Sequence, residues 1–260
     1  MLWVIEKEVF PSSHLDLSAA AALAGQAVRL WKIDWDFDAL PSMPAPVVFH
    51  GSLGNAVRVT SESDWRPGAF CDVAALAYSN WAGEARPWLL NHTWRVLPLA
   101  ELVESARAGK IQWQRFFVRP DSPLKQFSGR LLDRDTLTMK DFDFGLYFDD
   151  PRLPVVIAPA QEIGREWRYV VIGQKVVAGS GYDAGPRGTT RKGIADDGPK
   201  VVADEIARRL TKPGDVYVID LCEANSEIRL VELNPFSGAD LYRCAGAVIC
   251  EAMAEYLGDR

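Results

Sequence analysis

Short apolar runs alternate along this chain with stretches whose apolar residues recur every three or four positions, the pattern of strands interleaved with helices. Leu2–Ile5 and residues 46–49 predict buried strands. Between them Leu15, Ala19, Ala22, Leu23 and Gln26 keep helical spacing, which predicts a helix over 15–30. The second strand opens into Gly51-Ser-Leu-Gly54, a small-residue turn. Such a turn can bring backbone N–H groups close to a ligand, or simply join a strand to a helix. Trp65-Arg-Pro-Gly68 predicts a turn, and residues 99–108 predict a helix closed by Gly109. Residues 112–118 are aromatic and β-branched, as in a strand, and 155–158 are apolar throughout. Glu166–Ile172 and 175–179 predict a hairpin across Gly173-Gln174. Val202, Ile206 and Leu210 space an amphipathic helix over 200–210. A last helix is expected over 240–257, with Leu241, Cys244, Val248 and Met253 inward.

Two places in this pattern carry chemistry. The strand over 112–118 runs into Arg119-Pro-Asp-Ser-Pro-Leu-Lys-Gln-Phe-Ser-Gly129, which sets Arg119, Lys125 and Ser128 between prolines and a glycine, with Arg130 and Arg134 following. Cations at a strand end, opening into a loop of small polar residues, are what a polyphosphate requires. A basic surface turn has the same composition, and spacing alone leaves both readings open. The second place is the pair of runs 216–222 and 228–234 joined by a polar turn. Side chains alternate along a strand, so Glu232 and Asn234 share a face. If Asn225-Ser226-Glu227 is a three-residue loop, Ala224 pairs with Ile228 and Asp220 lies opposite Glu232. Two carboxylates and an amide oxygen are hard ligands that suit Mg²⁺. The competing reading is a solvated polar face, but polar groups set in apolar strands are costly without a partner.

One further segment, 183–199, holds four glycines and two prolines in 17 positions. Loops this long without structure of their own are usually functional. Arg187, Arg191 and Lys192 sit there beside Asp183, Asp196 and Asp197, so an active-site cover and a self-neutralised surface loop are both expected forms.

Composition narrows the classes. At about 150 residues per domain, 260 residues make one large domain or two small ones. Apolar residues at 48% and charged residues at 25% exclude disorder and coiled coil as the main architecture. The net charge of −6 argues against a surface that coats nucleic acid or an anionic membrane, without excluding a local basic pocket. No stretch approaches the roughly 18 apolar residues of a membrane span. The first apolar run stops at Glu6-Lys7-Glu8, unlike a signal peptide. Four cysteines without a C-x-x-C pair and three histidines leave little material for a His/Cys metal site. A cytoplasmic protein with buried thiols is expected, with neither membrane nor nucleic acid as partner.

These pieces, in this order, resemble the ATP-grasp superfamily. Phe117-Val-Arg-Pro120 resembles the strand ending in V-x-K-P, with Arg119 in place of the usual lysine. Residues 125–129 stand where the family has its phosphate loop, although Gly129 is the only glycine there. Residues 155–160 resemble the strand and hinge that hold adenine, Glu166-Trp-Arg168 matches E-x-R, and Asp220 with Glu232-x-Asn234 matches the metal-binding strands. Phe49-His-Gly-Ser52, Pro67-Gly68 with Phe70, and Leu89-Leu-Asn91 are similar to a small bacterial and phage-associated clade of stand-alone members. The resemblance implies an α+β ATP-grasp fold, two lobes (109–160 and 161–260) clasping nucleotide behind an α/β domain over 1–108. It implies ATP and Mg²⁺ as cofactors. Arg119, Lys125, Ser128, Gly129, Ala158, Ala160, Glu162, Glu166 and Arg168 would form the nucleotide site, with Arg119 and Arg168 catalytic and Asp220, Glu232 and Asn234 on the metal. The implied activity is an ATP-dependent carboxylate–amine ligase that works through an acyl phosphate on a small-molecule or peptide substrate. A phosphotransferase on the same site and a non-catalytic nucleotide-binding module are the alternatives.

Overall fold

The computed structural model describes residues 1–36, 39–44, 46–142, 150–184, 190–194 and 197–258; at 11–16, 33, 36, 183–184 and 190–194 it describes the backbone alone. The first sheet is parallel. Strands β1 (Leu2–Ile5), β2 (Ala27–Leu30), β3 (Val47–His50) and β4 (Pro67–Gly68) lie in the order β2-β1-β3-β4, with helices α1 (Pro11–Leu23) and α2 (Leu53–Glu62) in the crossovers. The single helix expected over 15–30 is therefore two elements. The Gln26 N–H bonds back to Ala21 and the Gly25 N–H to Ala22, and Gly25 adopts φ +70°. A glycine in the left-handed region closes a helix in this way, and the chain after it is free to pair as β2.

After the single turn α3 (Tyr78–Trp81) comes an antiparallel sheet, order β5-β8-β6-β7, made of β5 (Arg95–Pro98), β6 (Arg115–Pro120), β7 (Arg130–Asp133) and β8 (Pro154–Pro159). Helix α4 (Leu99–Arg107) covers it. Leu97, Leu99, Leu102, Val103 and Ala106 share one core with Phe116, Val118, Val155 and Ile157. Residues 95–107 thus pack with this sheet and not with the parallel one. We propose that the domain boundary lies near residue 94, ahead of the expected 108.

The third sheet, order β11-β10-β9-β12-β13, is antiparallel throughout. It contains β9 (Glu166–Ile172), β10 (Lys175–Ala184), β11 (Thr190–Ile194), β12 (Val216–Ala224) and β13 (Glu227–Pro235). One face packs on α5 (Asp197–Arg209) and on residues 76–89. The other packs on α1, on the parallel sheet through Trp3, Ile5 and Val48, and on the last helix, α6 (Gly246–Gly258). The stretch 183–199 is not one long loop: β10 runs on to Ala184, β11 pairs with it, and α5 begins at Asp197. Arg187 and Asp196, and the side chains of Asp183, Arg191 and Lys192, lie outside the described residues. The last helix starts at Gly246 and not at 240, because Tyr242 at φ +50° interrupts the chain there. Among the described residues, no helix is long and apolar enough to cross a membrane.

Candidate active site

The central feature is how the face that packs on α1 and α6 becomes polar at one end. On β12 this face reads Val216, Val218, Asp220; on β9 it reads Ile172, Val170, Arg168. Asp220 and Arg168 are direct cross-strand partners. Their side chains form a two-point ion pair, Arg168 Nε to Asp220 Oδ1 at 2.7 Å and Nη2 to Oδ2 at 2.6 Å. Arg168 Nη1 donates to the Asp240 carbonyl (2.7 Å), and its guanidinium stacks over the Tyr242 ring at 4.6 Å. Only 2% of Asp220 is exposed. Burial pushes its carboxyl pKa up against the opposing pull of Arg168. Burial also works against the charge on Arg168, but Asp220 outweighs it and the guanidinium stays firmly protonated.

The facing of Asp220 and Glu232 has a cause that differs from the expected one. The turn of the β12–β13 hairpin has two residues. Asn225 and Ser226, both at positive φ (53° and 64°), join the pair Ala224–Glu227, as in a type I′ turn. Continued without a break, that register would put Asp220 opposite Val231. A β-bulge at Val231 shifts it by one, so Leu221 pairs with Leu230 and Asp220 with Glu232. The Asn234 amide bridges the two carboxylates, donating to Asp220 Oδ2 (2.9 Å) and Glu232 Oε1 (3.0 Å).

The cations come from the facing sheet. Arg119, at the end of β6, reaches Glu232 Oε2 at 2.8 Å, and Lys125, from the loop that follows, reaches Oε1 at 2.8 Å. Burial acts to raise the Glu232 pKa; Lys125 and Arg119 outweigh it and hold the carboxyl well below the usual carboxylate range. Glu166, at the start of β9, is pushed up by burial and by Asp220, while the Tyr182 hydroxyl donates to it at 3.3 Å.

Three adjoining cavities surround this cluster. One of about 360 Å³ is mostly apolar and is lined by Tyr78, Phe117, Val156, Ala158, Leu230 and Val231, among others. A second of about 170 Å³ shares Phe117, Arg119, Gly129 and Val231 with it and adds Lys125, Ser128 and Glu232. A third of about 360 Å³ lies beyond Lys125, between Arg168, Asn234, Asp240, Tyr242, Phe10 and Ser52. Of the expected residues, Arg119, Lys125, Ser128, Gly129, Ala158, Arg168, Glu232 and Asn234 line these cavities. Asp220 lies behind them, under Arg168 and Asn234. Ala160 and the exposed Glu162 do not line them; Gln161 and Ile163 do. The chain leaves β8 at Pro159, so the strand alternation that selected even-numbered positions no longer applies there.

The sequence reading missed Tyr78, Asn91, Gln161, Asp240 and Tyr242. Only Asn91 had a signal, as part of Leu89-Leu-Asn91. The motif Phe49-His-Gly-Ser52 proves to be a clamp on the segment after Asn234. Gly51 N donates to the Ser237 carbonyl (2.8 Å), Ser237 Oγ donates to the Phe49 carbonyl (2.7 Å), and His50 Nε2 donates to the Ala239 carbonyl (3.0 Å). Phe70 N donates to Ser237 Oγ at 2.8 Å. A Cβ on Gly238 would collide with Leu53, so the two segments meet at backbone distance.

The profile of an ATP-grasp domain, the second family of its clade, matches residues 94–251. This chain belongs to that ATP-grasp family. The match covers both antiparallel sheets and the whole cation–carboxylate cluster. A search of curated proteins finds no sequence match. Solved ATP-grasp structures resemble the chain over nearly its full length. D-cycloserine synthetase DcsG does so at 16% identity and TM-score 0.63, over 98% of this chain and 99% of the other. D-alanyl-alanine synthetase A from Vibrio cholerae O1 biovar eltor does so at 12% and 0.61, over 99% and 97%. The macrocyclase MdnC from Microcystis aeruginosa, bound with precursor peptide MdnA, does so at 14% and 0.58, over 100% and 99%. These likenesses carry the fold into residues 1–93, ahead of the family match.

Proposed function

We propose that this ATP-grasp protein is an ATP-dependent ligase that joins a substrate carboxylate to an amine through an acyl phosphate. The observation that carries the reading is the row of three cavities meeting at Arg119, Lys125, Glu232 and Arg168. A flat apolar base suits the first cavity, a polyphosphate the small cationic second, and the carboxylate and amine the third. The cycloserine and D-alanyl-alanine synthetases and the peptide macrocyclase among the structural relatives support the same class.

The oxygen donors fit a magnesium ion. The Asn234 amide lies within 3.0 Å of both carboxylates, so all three side chains converge on one point, and such donors match the ion's hardness. Asp220, Glu232 and Asn234 would hold it, and when bound it neutralises phosphate oxygens. Arg119 and Lys125 now neutralise Glu232; with nucleotide present, the same cations serve the phosphates. Arg119, on a strand end, fixes their position, and Lys125 follows from the loop. A carboxylate oxygen in the third cavity attacks the γ-phosphorus and ADP leaves. The amine then attacks the acyl carbon, and phosphate leaves carrying the former carboxylate oxygen. Arg168, kept charged by Asp220 and oriented by the Asp240 carbonyl, stabilises the negative charge that builds on the transferring group.

An ADP-release screen with paired carboxylates and amines finds the substrates. For any pair that turns over, ¹⁸O in the carboxylate tests the chemistry. The reading predicts one ¹⁸O in the released phosphate and a requirement for the amine. Phosphate that remains on the acceptor, with no amine needed, contradicts it and identifies a phosphotransferase.

A further inference from the structure

The first cavity contains a polar group that the scheme above does not use. Asn91 lines it, and the Asn91 Oδ1 is buried without any hydrogen-bond partner. The other buried side-chain atoms without partners, on Glu84, Trp94 and Tyr217, belong to residues that do not line the cavity. An orphaned buried acceptor is destabilising, and few remain in a native fold without a use.

Asn91 is also held in place. Leu90 N donates to the Leu230 carbonyl at 2.9 Å, and Leu230 N donates to the Trp88 carbonyl at 2.7 Å. This short parallel bridge fastens residues 88–90 to β13 beside the bulge at Val231. The amide therefore sits on the wall of the cavity, next to Leu230, and not on a loose loop.

Most of that wall is apolar: Tyr78, Leu90, Val156, Ala158 and Leu230 suit the faces of a flat ring. A carboxamide on such a wall offers one acceptor and one donor side by side. Adenine carries the complementary pair, its 6-amino donor next to a ring-nitrogen acceptor, the pairing by which asparagine reads adenine elsewhere. We propose that Asn91 reads the 6-amino group of the bound base and so sets the preference for adenine over 6-oxopurines. A 6-oxo group would present an acceptor to the Asn91 carbonyl. The proposal rests on the nucleotide reading of this cavity and assigns base recognition to a residue ahead of the matched domain.

The test is calorimetric binding of ADP and of purine riboside 5′-diphosphate, which lacks only the 6-amino group, with Mg²⁺ present. The proposal predicts that wild-type protein binds ADP about tenfold more tightly than the purine riboside compound. In Asn91→Leu this ratio falls below about twofold, with ADP itself weakened about tenfold. Asn91→Asp keeps an acceptor and retains most of the discrimination, which covers the case in which the leucine variant does not fold. A ratio that is equal in wild type and Asn91→Leu overturns the proposal while leaving the nucleotide site intact. A wild-type protein that binds neither compound overturns the nucleotide reading, and this assignment with it.

Discussion

The site contains two ion pairs of the same formal kind in very different settings. Arg168 and Asp220 sit on neighbouring strands of one sheet, with 8% and 2% of their side chains exposed, and meet at two points. Lys125 and Glu232 come from facing sheets, with 40% and 16% exposed, and meet at one. The lysine stands on a loop, at φ +52°. The first pair has no route to another partner without leaving an uncompensated buried charge. The second exchanges partners at little cost, because water and ligand reach its lysine. A site that must accept a polyphosphate and let it go needs both kinds: a fixed pair to hold shape and an exchangeable pair to be replaced by the ligand.

Breaking the fixed pair gives the largest effect. Asp220→Ala strands the Arg168 guanidinium and is expected to lower stability by about 3–5 kcal/mol, read by denaturant unfolding. A loss below about 1 kcal/mol would show that the pair is no more fixed than its neighbour.

Acid separates the two carboxylates next. The folded pKa of Glu232 lies below its unfolded value, so its contribution to stability is complete above the ordinary glutamate range and is lost as the pH falls toward the folded pKa. Asp220 has the opposite sign: its pKa is raised, so protonation favours the folded state. In metal-free protein, Glu232→Gln should therefore lose stability less steeply than wild type between about pH 6 and pH 3. Equal slopes in urea titrations across that range would remove the ion-paired role of Glu232.

The exchangeable pair gives the smallest change in stability. Lys125→Ala is expected to cost under about 1 kcal/mol, because the lysine is substantially solvent-exposed. It is expected to weaken ATP-analogue binding about tenfold. A variant that melts early and binds normally would reverse the assignment of the two pairs.

The same contrast explains how much could be read from sequence. The buried strands, the glycine that ends α4 and the E-x-N strand were legible because apolar runs and turn residues are local. Arg168, Asp220, Glu232 and Asn234 stood out because charged groups inside apolar runs need partners. The facing of Asp220 and Glu232 was read correctly from a wrong turn. The two-residue turn and the bulge at Val231 shift the register in opposite senses, and no local signal in Leu-Val-Glu marks a bulge. Asp240 and Tyr242 were absorbed into an expected helix, since nothing in their spacing announces a positive φ at Tyr242. The role of His50 and Gly51 depends on Ser237 and Ala239, nearly 190 positions away, which periodicity cannot register.

The most direct test of the account is the effect of Mg²⁺ on binding of the β,γ-imido analogue of ATP, measured by calorimetry for wild type and for Glu232→Gln. The account predicts one site per chain in wild type, with affinity raised at least about tenfold by Mg²⁺ over EDTA, and most of that gain lost in Glu232→Gln. Absence of binding in wild type, or a magnesium effect of the same size in both proteins, would contradict it.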